Sequence, residues 1–353
     1  MKRPGFLLLL FLLAAPAAHG QSSLEAVCGR TEVRAVNAVD ECLAAVQAAL
    51  SAQPALGLVI AGGNPTLGTA GAAGLRLGVI PRTSAGIRLN LVGVRLPGIL
   101  AEEIPGRIGE VTGRFGAPVP AILGDFSIAL TEGLGVAPGL GGIGAISLLG
   151  SASYLPFRHL GIDGFDDAPD VAWGIGARVH ILQESFVVPG VSVSLMRRQL
   201  ATLQFGDVCV GIQPGEANGV GTCAGSGDPG EVRFNLVDWS ARAVASKHLL
   251  GFGLTAGLGY DRYGSDLAFG FRAPEPVPGT SITPIFRVLD EALESSRWTV
   301  FGNASYTLIF GTIGVEAGWQ QGTSPITGFR DIGSDFDPKS GIWFGSAGVR
   351  LSL

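Results

Sequence analysis

The sequence is poor in charge. Only 15% of its 353 residues are Asp, Glu, Lys or Arg, against about 25% in an ordinary soluble domain, while 47% are hydrophobic. A water-facing surface is hard to build from such a composition. Long apolar runs are missing as well: beyond residue 20 no stretch approaches the roughly 20 apolar residues that a spanning helix needs. The two absences argue against a soluble enzyme and against a helical membrane protein. They leave the closed β-barrel, which pairs its backbone groups between strands and so tolerates lipid. Basic character is missing too. The formal net charge is −5, which argues against nucleic acid as a partner, since that ligand asks for a basic face. Histidine is limited to four residues and cysteine to four, with no CxxC spacing beside a histidine cluster, so neither a metal site nor a cofactor is predicted.

What is present begins with MKRPGFLLLLFLLAAPAAHGQ. Lys2 and Arg3 precede an apolar run from Phe6 to Leu13 and small residues up to Gly20. This pattern predicts a signal peptide over 1–20, removed near Gly20 or Gln21. In an exported chain the neighbouring pairs Cys28 with Cys42 and Cys209 with Cys223 predict disulfides. Each would close a loop of about 15 residues and stabilise by up to about 3 kcal/mol.

Further along, GFGLTAGLGYD (Gly251–Asp261) sets Phe252, Leu254, Ala256, Leu258 and Tyr260 against glycines, a threonine and an aspartate. The same period of two recurs in VAWGIGARVHI (Val171–Ile181), WTVFGNASYTLIF (Trp298–Phe310) and GTIGVEAGWQ (Gly311–Gln320). Such alternation is a strand signal. In a transmembrane barrel it sorts apolar residues to lipid and the others to the lumen. The row of glycines either offers a smooth inner wall to a plug or eases curvature.

The chain ends on GIWFGSAGVRLSL, where Trp343, Ala347, Val349, Leu351 and Leu353 share one face and Ser346, Arg350 and Ser352 the other. Here the chain resembles bacterial outer-membrane β-barrel proteins, whose last strand alternates in this way up to the C-terminal residue. Leu353 departs from the aromatic residue usual at that place. The resemblance covers roughly 55–353. It implies an outer-membrane location, lipid contact and assembly by the outer-membrane machinery. Counted back from Leu353, long and short connections alternate, as outer loops and periplasmic turns do. The expectation is an all-β, antiparallel transmembrane barrel of about twelve strands over 55–353. The first strand is placed at 55–63 and the second at 68–80, and a tight turn falls at Lys247–His248. The ninth runs unbroken over 249–270; a different division gives fourteen strands.

Residues 21–54 read differently. Val36, Val39, Leu43, Val46 and Leu50 recur at helical steps, with Thr31 as N-cap and Pro54 beyond the end. This helical extension lies in the periplasm, dimerises or plugs the barrel. Charge at the lipid midplane costs about 2–4 kcal/mol per Arg, so Arg76, Arg88, Asp125, Arg178, His180, Arg198, Asp261, Asn303, Glu316 and Arg350 are assigned to the lumen. So are Arg233, Asp238 and Arg242, the two arginines sharing a side through a bulge near Val237. They either form a weakly cationic pore lining or pair off and fill the interior. Leu123, Met196, Phe301, Ile342 and Phe344 also point inward and suit hydrophobic cargo. Passage or uptake of small, hydrophobic solutes is therefore the leading expectation. The rivals are a filled, surface-interacting barrel and a membrane hydrolase built on His180 or His159. The acidic loops around Asp163–Asp167 and Asp331–Asp337 lack the spacing of a calcium loop.

Overall fold

Alternation in the sequence becomes a wall with two chemistries. The computed structural model describes residues 39–71, 82–97, 114–134, 143–156, 171–185, 188–205, 231–273, 285–309, 311–322 and 341–352. These form one helix, α1 (Val39–Ala61), and ten strands. The strands are β1 (Thr83–Pro97), β2 (Arg114–Ala129), β3 (Ala145–Tyr154), β4 (Val171–Leu182), β5 (Gly190–Phe205), β6 (Glu231–Leu249), β7 (Phe252–Ala273), β8 (Ile285–Thr307), β9 (Gly311–Gln320) and β10 (Ile342–Ser352). Each pairs antiparallel with its sequence neighbour, and β1 pairs with β10 to close the cylinder. No described helix is long and apolar enough to cross a membrane; the strands do the crossing.

The count of ten corrects the expected twelve. Residues 55–63, expected as the first strand, are the end of α1 and the turn after it, and the helix runs through Pro54 instead of stopping before it. The cause lies in the surroundings. Leu56, Leu58, Val59, Ile60 and Ala61 are all nearly inaccessible. A helix enclosed on every side carries apolar residues all round and loses its periodic signature, so a short apolar run reads equally well as strand or helix. Of the expected second strand, 68–71 form a turn and 72–81 lie outside the described residues. The remaining ten expected strands correspond in order to β1–β10, with β2 and β8 beginning earlier than expected, at Arg114 and Ile285.

Two smaller corrections concern register. The β6–β7 turn falls at Leu250–Gly251, not at Lys247–His248. Both residues have positive φ, 53° and 88°, the two-residue hairpin geometry that suits strand twist. The bulge expected near Val237 is absent from the β6–β7 ladder, which runs in constant register there. The extra residue sits on β5, between Leu200 and Leu203. Strand β7 is continuous across Tyr263–Asp266.

The outer surface is a belt. Ile87, Leu89, Leu91, Ile175, Leu195, Leu254, Val300, Val315 and Val349 are all exposed. Aromatic pairs bound it: Phe252 against Tyr306 at 4.8 Å near the short turns, and Tyr260 against Trp298 at 5.1 Å toward the long connections. The outward run from Phe252 to Tyr260 matches the roughly 9–11 residues that a tilted strand needs to span hydrocarbon. Outward charge begins above the second pair, where Arg262 meets Glu294 at 2.9 Å and Arg197 lies over the Trp239 ring. Aromatic rings at both edges of an apolar band are favoured at membrane interfaces.

Two glycines of β7 have a further explanation besides a plug wall or curvature. Gly257 lies opposite Phe301, and Gly259 opposite Arg242. A Cβ at Gly257 would overlap the Phe301 ring, and one at Gly259 would come 2.7 Å from the Arg242 guanidinium. The bare backbone lets the large inward side chains of β6 and β8 lie across β7. Gly257→Val is therefore expected to displace Phe301 and cost about 1–3 kcal/mol, read as a lower urea midpoint for the barrel folded in lipid vesicles.

Candidate functional site

The lumen is occupied by the chain's own N-terminal part, and the grip begins at the helix end. An α-helix leaves its last carbonyls without partners. Here Gly62, at φ 61°, supplies the left-handed cap that favours glycine, and its N–H donates to the Leu58 carbonyl at 2.9 Å. The barrel wall satisfies the rest. Asn90 Nδ2 donates to the Leu58 and Val59 carbonyls at 3.0 and 2.7 Å. Arg88 donates to Ala61 at 3.3 Å and to Asn64 at 2.8 Å. Arg242 donates to Gly63 at 3.0 Å and Gly62 at 3.4 Å. Cations at a helix C-terminus also meet the negative end of its dipole. The next two N–H groups, of Gly63 and Asn64, donate to the Glu316 carboxylate at 3.0 and 2.9 Å. Bonds to charged groups such as these contribute about 1.5–3 kcal/mol each.

Beyond the cap, the loop Gly62–Gly71 descends through the lower lumen. Arg178 donates to Asn64 Oδ1 at 3.0 Å, and Arg350 donates to the Leu67 carbonyl and to Thr312. At the bottom Ala70 is held from both sides. Its N–H donates to Ser246 Oγ at 2.9 Å, and its carbonyl lies 3.2 Å from His180 Nδ1. In the neutral ring that arrangement places the proton on Nδ1, so His180 Nε2 accepts from the Ser147 hydroxyl at 2.9 Å. Ser246 in turn donates to Glu184, whose carboxylate also takes the His248 N–H and lies 2.9 Å from His248 Nδ1.

Arg88, Arg178, His180, Arg198, Asp261, Asn303, Glu316 and Arg350 are all buried at the inner wall, and Asp125 is half-buried beside Arg88. Four of them belong to the shorter ion pairs of the interior: Arg88 with Asp125 at 3.0 Å, Arg198 with Asp238 at 3.2 Å and Asp261 with Arg242 at 2.7 Å. Asn303 lies across the ladder from Glu316. Leu123, Met196, Phe301 and Phe344 are buried as well. Arg76, Cys28, Cys209, Cys223, His159 and the two acidic loops lie outside the described residues; Cys42 is on α1 and Arg233 on β6, in stretches whose side chains are not described. Among the described residues no group of three or more His, Cys, Asp or Glu is placed to hold a metal.

Sequence reasoning missed the partners on the plug side: Gln53, Asn64 and the carbonyls of Ala61 to Leu67. Gln53 bonds Ser265, Ser295 and the Leu293 carbonyl near the upper end of the lumen. The one available signal was GGNPTLG (Gly62–Gly68), a turn-rich stretch between an apolar run and the first well-patterned strands.

No family model matches the chain, and no curated protein matches it. Among solved structures, the outer membrane protease OmpT of Escherichia coli is 12% identical, with 79% of this chain and 99% of that chain covered and a TM-score of 0.35. The translocator domain of the autotransporter NalP of Neisseria meningitidis is 11% identical, covering 79% and 90%, at 0.33. Ail, the attachment invasion locus protein of Yersinia pestis, is 8% identical, covering 78% and 100%, at 0.29. Likenesses of this degree carry no argument about activity. The chain's own features carry the conclusion: a closed antiparallel ladder, an apolar belt edged by aromatic rings and charge turned inward make this an outer-membrane β-barrel protein of the bacterial type.

Proposed function

We propose that this is a sealed barrel, plugged by its own N-terminal segment, whose work is done at the face that carries the long connections. One observation supports this over passive passage of solutes. From Ala55 to Ala70 every residue of the plug is buried, so the lumen at that depth is filled with protein. Of the arginines assigned to a cationic lining, Arg88, Arg178, Arg198, Arg242 and Arg350 are committed to oxygens of the plug or to wall carboxylates. The connections at the face in question, 98–113, 155–170, 206–230, 274–284 and 321–341, are the long ones, and they supply the residues that a partner would meet. Loops on a rigid scaffold are where binding residues concentrate.

A second reading keeps transport and makes the plug a gate. Buried Leu123, Met196, Phe301 and Phe344 favour it, because these apolar side chains suit hydrophobic solutes once the helix has moved. The hydrolase reading has less support: Ser147 and His180 are hydrogen-bonded but both almost fully buried, with the ring tied to the plug. Purified protein in planar bilayers tests the proposal. The intact barrel is expected to show no stable conductance steps; long-lived open steps in the unmodified protein would overturn it.

A further inference from the structure

The direction in which the plug runs carries a consequence for the N-terminal part of the chain. The grips on the plug are ordered along the strands that make them. On the β1–β10 pair, Leu58 and Val59 are held by Asn90, which lies opposite Ser346. Ala61 is held by Arg88, opposite Gly348, and Leu67 by Arg350, opposite Gly86. Each grip is two residues nearer the end where β1 begins and β10 stops. The β6–β7 pair repeats the order. Gln53 meets Ser265, a Cβ at Gly57 would overlap the Tyr263 ring, Gly62 and Gly63 meet Arg242 opposite Gly259, and Ala70 meets Ser246 opposite Thr255. These positions step down β7 toward the Leu250–Gly251 turn. From Gln53 to Ala70 the chain therefore crosses the lumen from the long-connection end to the short-turn end.

Counting passages turns this into topology. Ten strands cross the wall ten times, so the start of β1 and the end of β10 lie at the same, short-turn end. The lumen passage is one crossing more, and an odd total puts Val39 and Ser352 on opposite sides. Upstream of Gln53 the helix continues for fourteen residues to Val39, about 21 Å at 1.5 Å per residue. That length is comparable to the rise of β7 from Ser265 to Ala273, about 26 Å at 3.3 Å per residue. Short turns face the periplasm and long loops the exterior in barrels of this class.

We infer that the polypeptide ahead of Val39 is delivered to the cell exterior, where it joins the long connections as part of the presented surface. The barrel thereby acts as a holder that threads its own N-terminal segment outward. This goes beyond the sealed-lumen reading, because it depends on chain direction and not on whether the lumen conducts.

Epitope tags inserted singly between Ser23 and Leu24, within 206–230, and between Leu250 and Gly251 test it, with heat-modifiable gel mobility selecting folded protein. On intact cells, antibody is expected to reach the first two tags as well as it does after the outer membrane is permeabilised, and the third only after permeabilisation. A Ser23–Leu24 tag reached only after permeabilisation, while the 206–230 tag is reached on intact cells, would overturn the inference. So would a Leu250–Gly251 tag that is reached on intact cells. If a tag prevents folding, the same three regions are probed with single cysteines, Ser23→Cys, Ser226→Cys and Leu250→Cys, in a background with all four native cysteines replaced by serine. A membrane-impermeant maleimide then gives the same readout and the same deciding outcomes.

Discussion

Removing residues 39–71 is expected to convert a silent barrel into an open, anion-preferring channel. The deletion takes out α1 and the loop that fills the lumen, and water then solvates the wall groups left behind. Arg198 with Asp238 and Arg242 with Asp261 keep their wall partners. Arg178 and Arg350 lose the plug atoms that they hold, so the exposed lining carries an excess of positive charge, and a lining of one sign concentrates the opposite ion. Discrete, long-lived steps whose reversal potential in a salt gradient shows preference for chloride are the expected record from planar bilayers. Heat-modifiable mobility verifies that the shortened protein has folded. A folded deletion variant as silent as the intact barrel would mean that something other than this segment closes the lumen.

Arg88→Met is expected to be the most damaging single substitution in the interior, at about 3–5 kcal/mol, because breaking a buried ion pair from one side strands the other charge. Arg88 is the hub of the network. It contacts Asp125 and Glu316 and donates to the carbonyls of Ala61 and Asn64. Methionine fills much of the volume but leaves the Asp125 and Glu316 carboxylates without the cation between them. The loss is expected to be largely reversed in the triple variant Arg88→Met, Asp125→Asn, Glu316→Gln, which removes the stranded charges together; buried ion networks are often replaceable as a unit at little cost. Urea midpoints for the protein in lipid vesicles check both halves. A triple variant no more stable than the single one would show that Arg88 acts through its bonds to the plug carbonyls and not through charge balance.

The barrel was legible because each membrane strand has to satisfy lipid on one side, and that requirement writes a period of two into the sequence. Trp343 and Arg350 sit three and a half periods apart and face opposite ways, as their chemistry demands. The assignment of Arg88, Arg178 and Glu316 to the inner wall follows from the same cost of charge in hydrocarbon. The helix was only half legible. Its apolar residues keep helical spacing as far as Leu50 and lose it where the lumen encloses the chain, so Pro54 reads as a stop and Leu56–Ile60 as a strand. The site itself was largely hidden, because half of it is backbone: carbonyls of Ala61, Gly62, Gly63 and Leu67 have no side-chain signature. The pairing of Gly257 with Phe301 and of Gly259 with Arg242 depends on register, which a single strand cannot reveal.

The seam at which the sheet meets itself lies between β1 and β10, and both banks of that seam hold the threaded segment, through Asn90 and Arg88 on one side and Arg350 on the other. Closing the ring and holding the thread therefore draw on the same two strands. A ring zipped shut around nothing would afterwards have to admit a whole helix lengthwise, whereas a ring that forms about the segment has its last rungs aligned by the very groups that grip it.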